Sequence, residues 1–188
     1  MSYRNSGMKR YLALIPNILS TLRLVLACLF PFSPEEMWVW LILGSGASDF
    51  LDGWCARRWK VSSWQGGLLD AVADKMFMFT ALITFAMAGR FPIWWIPIVI
   101  ARDLTVAIAA GYAATIRSWD SFRKMEVRWS GKLATAGQFI LLLTVVLVPG
   151  MISLALLVTV SCSVIAAGDY GLLFYQALRR QYRDKKTI

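Results

Sequence analysis

The sequence predicts an all-α integral membrane protein. Two observations carry that prediction. The 188 residues are 58% apolar and only 16% charged, and the apolar residues fall into repeated runs of about 20, the length a helix needs to cross ~30 Å of hydrocarbon. A water-soluble domain of this size does not carry so many such runs. The expected architecture is a single membrane domain over residues 1–188, with six transmembrane helices and an N-terminal amphipathic interfacial helix.

Residues 1–14 place Arg4, Lys9 and Arg10 beside Tyr3, Met8, Tyr11, Leu12 and Leu14, the pattern of a basic helix lying among headgroups. Pro16-Asn17 opens the first span, about 17–32, which Pro31-Phe-Ser-Pro34 ends. An arginine inside it, Arg23, is expected to face a site. The second span, about 37–58, begins at Trp38 and Trp40, and the basic loop Arg57–Gln65 follows. The third, about 66–88, carries Asp70, Asp74 and Lys75 in its first turns and ends at Gly89-Arg90-Phe-Pro92.

The fourth span, about 93–116, opens on Trp94-Trp95 and contains Arg102-Asp103. Trp38, Trp94 and Trp95 are read as interface anchors. A charged loop, 117–128, precedes the fifth span, about 129–148, which holds Lys132 and breaks at Pro149-Gly150. The sixth, about 151–176, leads to a basic, solvated, lipid-attracting tail over 179–188.

Loop charge orients the chain. Arg4, Lys9 and Arg10, then Arg57, Arg58 and Lys60, then the 117–128 loop and the tail share one side; Arg90, Glu35 and Glu36 lie on the other. The positive-inside rule makes the first side cytoplasmic, with both termini on it. The net charge of +9 therefore speaks of anionic lipid, not of nucleic acid. No cleavable leader or transit peptide is expected: the first ten residues are polar, and no small-residue cleavage site precedes the first apolar run.

The chain has no histidine, which excludes Ser-His-Asp hydrolysis and His-ligated zinc. Cys28, Cys55 and Cys162 are widely spaced within apolar runs and are read as small hydrophobes. Chemistry must then run on acids, Lys, Arg or a metal.

Residues 49–74 concentrate that chemistry. Asp49 and Asp52 are three apart and Asp70 and Asp74 four apart, so each pair shares a helix face. The short connection makes the two helices antiparallel neighbours, so the pairs meet near the cytoplasmic surface. One charge at the bilayer centre costs at least ~2.5–3.5 kcal/mol, so four convergent carboxylates require a partner. A hard divalent cation, Mg2+ with Mn2+ as the alternative, suits four carboxylate oxygens. Gly53 and Ala56 keep the nearby helix surface bare for a bulky ligand. Arg57 offers forked donors for a phosphate or pyrophosphate. The set describes a site for a nucleotide-like diphosphate. A structural ion pair, such as Arg102 with Asp103, is the plain alternative for one intramembrane acid, and a poor account of four in two helical pairs.

The run Asp49-x2-Asp52-Gly53-x2-Ala56-Arg57-x8-Gly66-x3-Asp70-x3-Asp74 resembles the complete signature of the CDP-alcohol phosphotransferases. Chain length, six spans and a basic N-terminal helix also suit that family. Pro16-Asn17-Ile-Leu-Ser20-Thr-Leu-Arg23, Arg102-Asp103-Leu104, Gly131-Lys132-Leu-Ala-Thr135-Ala-Gly-Gln138 and Asp169-Tyr170 look like its phosphatidylglycerophosphate synthase branch, and cardiolipin synthases share several of these stretches. Two positions depart from that branch: Asp103, where it usually has Glu, and Ala71, where it usually has Pro.

The resemblance implies roles. Asp49, Asp52 and Asp70 would hold metal, and Asp74 would lie at the metal and serve as general base. Gly53, Ala56, Arg57 and Gly66, with Asn17, would bind the CMP part of CDP-diacylglycerol. The acceptor, glycerol 3-phosphate, is a dianion, and Arg102, Lys132, Lys75, Arg117, Arg123 and Arg128 are the cations available to bind it. The product would be phosphatidylglycerophosphate, made by a homodimer in the cell (inner) membrane. The alternatives are the same chemistry with phosphatidylglycerol, inositol phosphate or serine as acceptor, a divalent-cation transporter, and a non-catalytic scaffold. Arg57 and Lys75 beside the carboxylates, and the lack of an inverted repeat, weigh against a transporter.

Overall fold

The computed structural model describes residues 17–59, 64–115 and 129–185, and among these all regular structure is helical. The expected helix at 1–14 and the candidate residues Arg117, Arg123 and Arg128 lie outside the described residues. The helices are α1 (Asn17–Phe32, closing in a 3-10 turn from Phe30), α2 (Glu35–Trp59), α3 (Trp64–Met87), α4 (Trp95–Val99), α5 (Ala101–Thr115), α6 (Trp129–Leu147) and α7 (Ile152–Lys185). Two stretches, Trp129–Leu147 and Pro149–Gln176, are long and apolar enough to cross a membrane by length and composition.

Burial follows helical stripes of unusual polarity. On α1 the buried face is Ser20, Arg23, Ala27 and Phe30, while Ile18, Leu22, Val25 and Leu29 are exposed. On α2 the stripe Trp38, Ile42, Ser45, Ser48, Asp52 and Cys55 is buried; on α7 it is Leu156, Thr159, Ser163, Ala166 and Tyr170. Spacings of three and four place each set on one face. Polar side chains share the buried faces with apolar ones while many large apolar groups are exposed, as expected where lipid is the solvent and polar side chains join helices.

The chain divides into two compact units, residues 1–91 with Leu142–Pro149, and residues Pro92–Leu141 with Gly150–Ile188. In the first, Phe30 lies edge-on to Phe77 and Phe85, each at 5.6 Å, and stacks on Trp38 at 6.0 Å. Trp38 is buried in this cluster, with Arg90 over its ring. It is a core residue, which corrects its reading as an interface anchor; its neighbour Trp40 is the exposed one. Arg90 also pairs with Glu35, tying the end of α3 to the start of α2. The turn after α3 depends on Gly89 at φ 72°. Its N–H donates to Ala86 and that of Arg90 to Phe85, a Schellman closure that calls for a left-handed residue.

In the second unit the expected fourth span is interrupted. The helix breaks at Ile100, which separates α4 from α5. Pro97 lies within α4 and lacks an N–H. Side chains from α6 and α7 satisfy the break. Val99 O accepts from Gln138 Nε2 at 3.0 Å and from Ser163 Oγ at 2.7 Å. The Arg102 N–H donates to Ser163 Oγ at 3.3 Å. Farther on, α7 runs to Lys185, so much of the expected tail is helix.

Candidate metal and phosphate site

Three of the four signature carboxylates converge. One oxygen each from Asp49, Asp52 and Asp70 lies within 4.8 Å of the others. Asp49 and Asp52 come from the C-terminal half of α2 and Asp70 from the second turn of α3. The three side chains differ in access: Asp52 is 4% exposed, Asp70 39% and Asp49 55%. One acid anchors the cluster inside and two open it outward.

Three like charges this close repel by several kcal/mol, since unit charges 4 Å apart interact by ~4 kcal/mol at an effective dielectric of 20. Arg23 of α1 supplies the compensation. Its Nη1 donates to Asp70 Oδ1 at 2.9 Å and lies 3.2 Å from Asp49 Oδ1. Its Nη2 donates to Asp52 Oδ2 at 2.7 Å, and its Nε to Ser48 Oγ at 3.3 Å. Ser48 Oγ in turn donates to Ser45 O at 2.7 Å, which turns its lone pairs toward the arginine. Arg23 is fully buried. The sequence marked it as facing a site; its partners are legible only in the fold.

Asp74, one turn beyond Asp70 on α3, is not a member of the three-acid group. Its Oδ2 lies 3.2 Å from Lys75 Nζ. Lys75, a candidate acceptor cation, is thus paired with the candidate base. Gly53 and Gly66 are partly exposed on α2 and α3. Ala56 and Arg57 lie on α2, with side chains outside the described set. Asn17 opens the described part of α1, and its carbonyl accepts from Thr21 Oγ1 at 2.8 Å.

The donor set fits a hard divalent cation. Three carboxylates from two helices, one buried and two open, provide oxygen ligands only, the donor chemistry a hard divalent cation would take.

The second unit holds a separate polar cluster. Arg102 Nη1 donates to Asp103 Oδ1 at 2.9 Å, and its guanidinium lies 5.2 Å from the Tyr170 ring centre. Gln138 Nε2 donates to Asp103 Oδ2 at 2.8 Å. Arg102 therefore has a structural occupation that the sequence weighed only as an alternative. Its Nε is buried with no hydrogen-bond partner among the described residues. Gly131 permits the arrangement: a Cβ there would sit 2.7 Å from Tyr170 Oη and 2.9 Å from Arg102 Nη2. Lys132 is exposed, with Nζ 5.0 Å from the Trp129 ring centre.

Comparison with known proteins agrees with this chemistry. The sequence model of the CDP-alcohol phosphatidyltransferase family matches residues 13–165. A CDP-diacylglycerol–glycerol-3-phosphate 3-phosphatidyltransferase of Yersinia enterocolitica is 32% identical over 135 residues, 66% of this chain and 71% of that protein. One of the same name from Sodalis glossinidius is 35% identical over 125 residues, 64% of this chain and 66% of that protein. A CMP-forming cardiolipin synthase of Streptomyces coelicolor is 34% identical over 131 residues, 64% of this chain and 59% of that protein. The match thus spans less than two thirds of the Streptomyces and Sodalis proteins. With 153 of its 188 residues inside the family match (13–165), and three of the four signature acids gathered in space, the chain belongs to the CDP-alcohol phosphatidyltransferase family.

Proposed function

We propose that the protein transfers a phosphatidyl group from CDP-diacylglycerol to glycerol 3-phosphate, giving phosphatidylglycerophosphate and CMP. The observation that carries the proposal is the convergence of Asp49, Asp52 and Asp70, contributed by two helices, on one point. These three would hold Mg2+ or Mn2+, which when bound neutralises pyrophosphate charge and stabilises the departing CMP phosphate. Asp74 takes the proton from the acceptor hydroxyl as its oxygen attacks the phosphorus bearing diacylglycerol. The bond from that phosphorus to the CMP phosphate oxygen breaks, and CMP leaves. Arg57, with Gly53, Ala56, Gly66 and Asn17, binds the CMP part.

The cations that answer the acceptor's phosphate are Arg102 and Lys132, with Lys75, Arg117, Arg123 and Arg128. The buried, unpartnered Nε of Arg102 supports its place among them, because a guanidinium edge without an acceptor is costly to bury. Phosphatidylglycerol as acceptor is the second reading, favoured by the resemblance to a CMP-forming cardiolipin synthase. In either case the protein crosses the cell (inner) membrane six times as a homodimer, with termini and site on the cytoplasmic side. Purified protein given CDP-diacylglycerol, Mg2+ and each acceptor in turn separates the readings by the mass of the lipid product. Phosphatidylglycerophosphate from glycerol 3-phosphate supports the first; cardiolipin from phosphatidylglycerol alone replaces it with the second.

A further inference from the structure

Arg23 lies outside the Asp49–Asp74 signature, on a different helix, yet the signature acids are built around it. Its four polar contacts reach Asp49, Asp52, Asp70 and Ser48, spanning α2 and α3 from α1. The guanidinium is fully buried, and its Nε donates to Ser48 Oγ at 3.3 Å, a contact that holds it independently of the acids. A planar fork with donors in fixed directions can bring three carboxylates to set positions, which a point charge cannot. It meets Asp49 Oδ1, Asp52 Oδ2 and Asp70 Oδ1.

We propose that Arg23 is the positioning residue of the metal site. It holds Asp49, Asp52 and Asp70 in register before a divalent cation arrives, and it stays beside them afterwards as part of the outer support of the ligands. This rests on the metal reading given above. It also carries a sign that a simple electrostatic role does not. Removing a positive charge next to three carboxylates should tighten cation binding if Arg23 only competes with the metal. It should weaken binding if Arg23 organises the ligands, by the 10- to 100-fold scale on order typical of residues that orient metal ligands.

The test is a titration of Mn2+ into the detergent-solubilised, full-length protein without lipid substrate or nucleotide, read by electron paramagnetic resonance. Wild type is compared with Arg23→Gln and Arg23→Lys, the second keeping the charge but losing the fork. Both variants are expected to bind Mn2+ at least about 10-fold more weakly. Unchanged binding in Arg23→Lys, or tighter binding in either variant, overturns the assignment. Should neither variant yield monodisperse protein, Ser48→Ala decides: it keeps the arginine and removes its Nε partner. A several-fold weaker Kd supports the proposal and an unchanged Kd overturns it. Wild-type protein that binds no Mn2+ would instead fail the metal reading itself.

Discussion

Arg23 Nη2 donates to Asp52 Oδ2 at 2.7 Å, and both side chains are all but sealed from the surroundings. Asp52 is the only one of the three gathered acids that is buried, so it ties the outer pair, Asp49 and Asp70, to the interior. Asp52→Asn keeps an oxygen acceptor for Arg23 while Asp49 and Asp70 still balance its charge. The variant should therefore fold with a Tm close to wild type. Metal affinity and turnover should each fall by at least about 100-fold, since a metal-facing carboxylate is lost outright. Thermal unfolding and Mn2+ titration on the same sample check both halves; a collapse of Tm with unchanged affinity would make Asp52 structural.

Asp74 lies outside the three-acid group and beside Lys75, at 3.2 Å. If it serves as the base, Asp74→Asn should lower turnover by about 10²- to 10⁴-fold, the usual worth of a positioned proton acceptor. Mn2+ affinity should fall by far less than in Asp52→Asn. Equal losses of affinity in the two variants would place Asp74 among the principal metal ligands and remove the reason to call it the base.

Gly131 lets Arg102 and Tyr170 approach α6, and a methyl group there would sit within 3 Å of both. Gly131→Ala must push them away. The expected result is an increase of several-fold or more in KM for the acceptor, with KM for CDP-diacylglycerol changed much less. Arg102→Ala should show the same split more strongly. A larger effect on the CDP-lipid in either variant would move Arg102 to the nucleotide end.

Phe30 sits where Trp38, Phe77 and Phe85 meet. Phe30→Ala opens a cavity in the first unit and should cost about 3–5 kcal/mol of stability. Unfolding of the variant in micelles measures this. A loss below ~1 kcal/mol would mean the cluster collapses to fill the gap.

These relationships were unevenly visible in the sequence. Asp49, Asp52, Asp70 and Asp74 stand out because charge inside apolar runs is rare, and helical spacing pairs them. Arg23 stands out for the same reason, but spacing cannot say which acids a residue 26 positions upstream of Asp49 will reach. Trp38 was misread because an aromatic near a helix end fits an anchor and a core residue equally; only the packing of Phe30 and Phe85 decides it. The break at Ile100 was hidden because the expected span runs through Pro97, and one proline within an apolar run does not say where the helix parts. Its stabilisation by Gln138 and Ser163 depends on tertiary neighbours from two later helices.

The proposed reaction is metal-dependent transfer from a CDP-linked lipid at the acids gathered on Arg23. The most direct measurement is CMP release by the purified protein from CDP-diacylglycerol and glycerol 3-phosphate, with Mg2+ and then with excess chelator. Steady release with Mg2+, abolished by chelation and restored by added Mg2+, is the predicted result. Release that persists in chelator, or no release from the Mg2+-loaded protein with any acceptor, would contradict it.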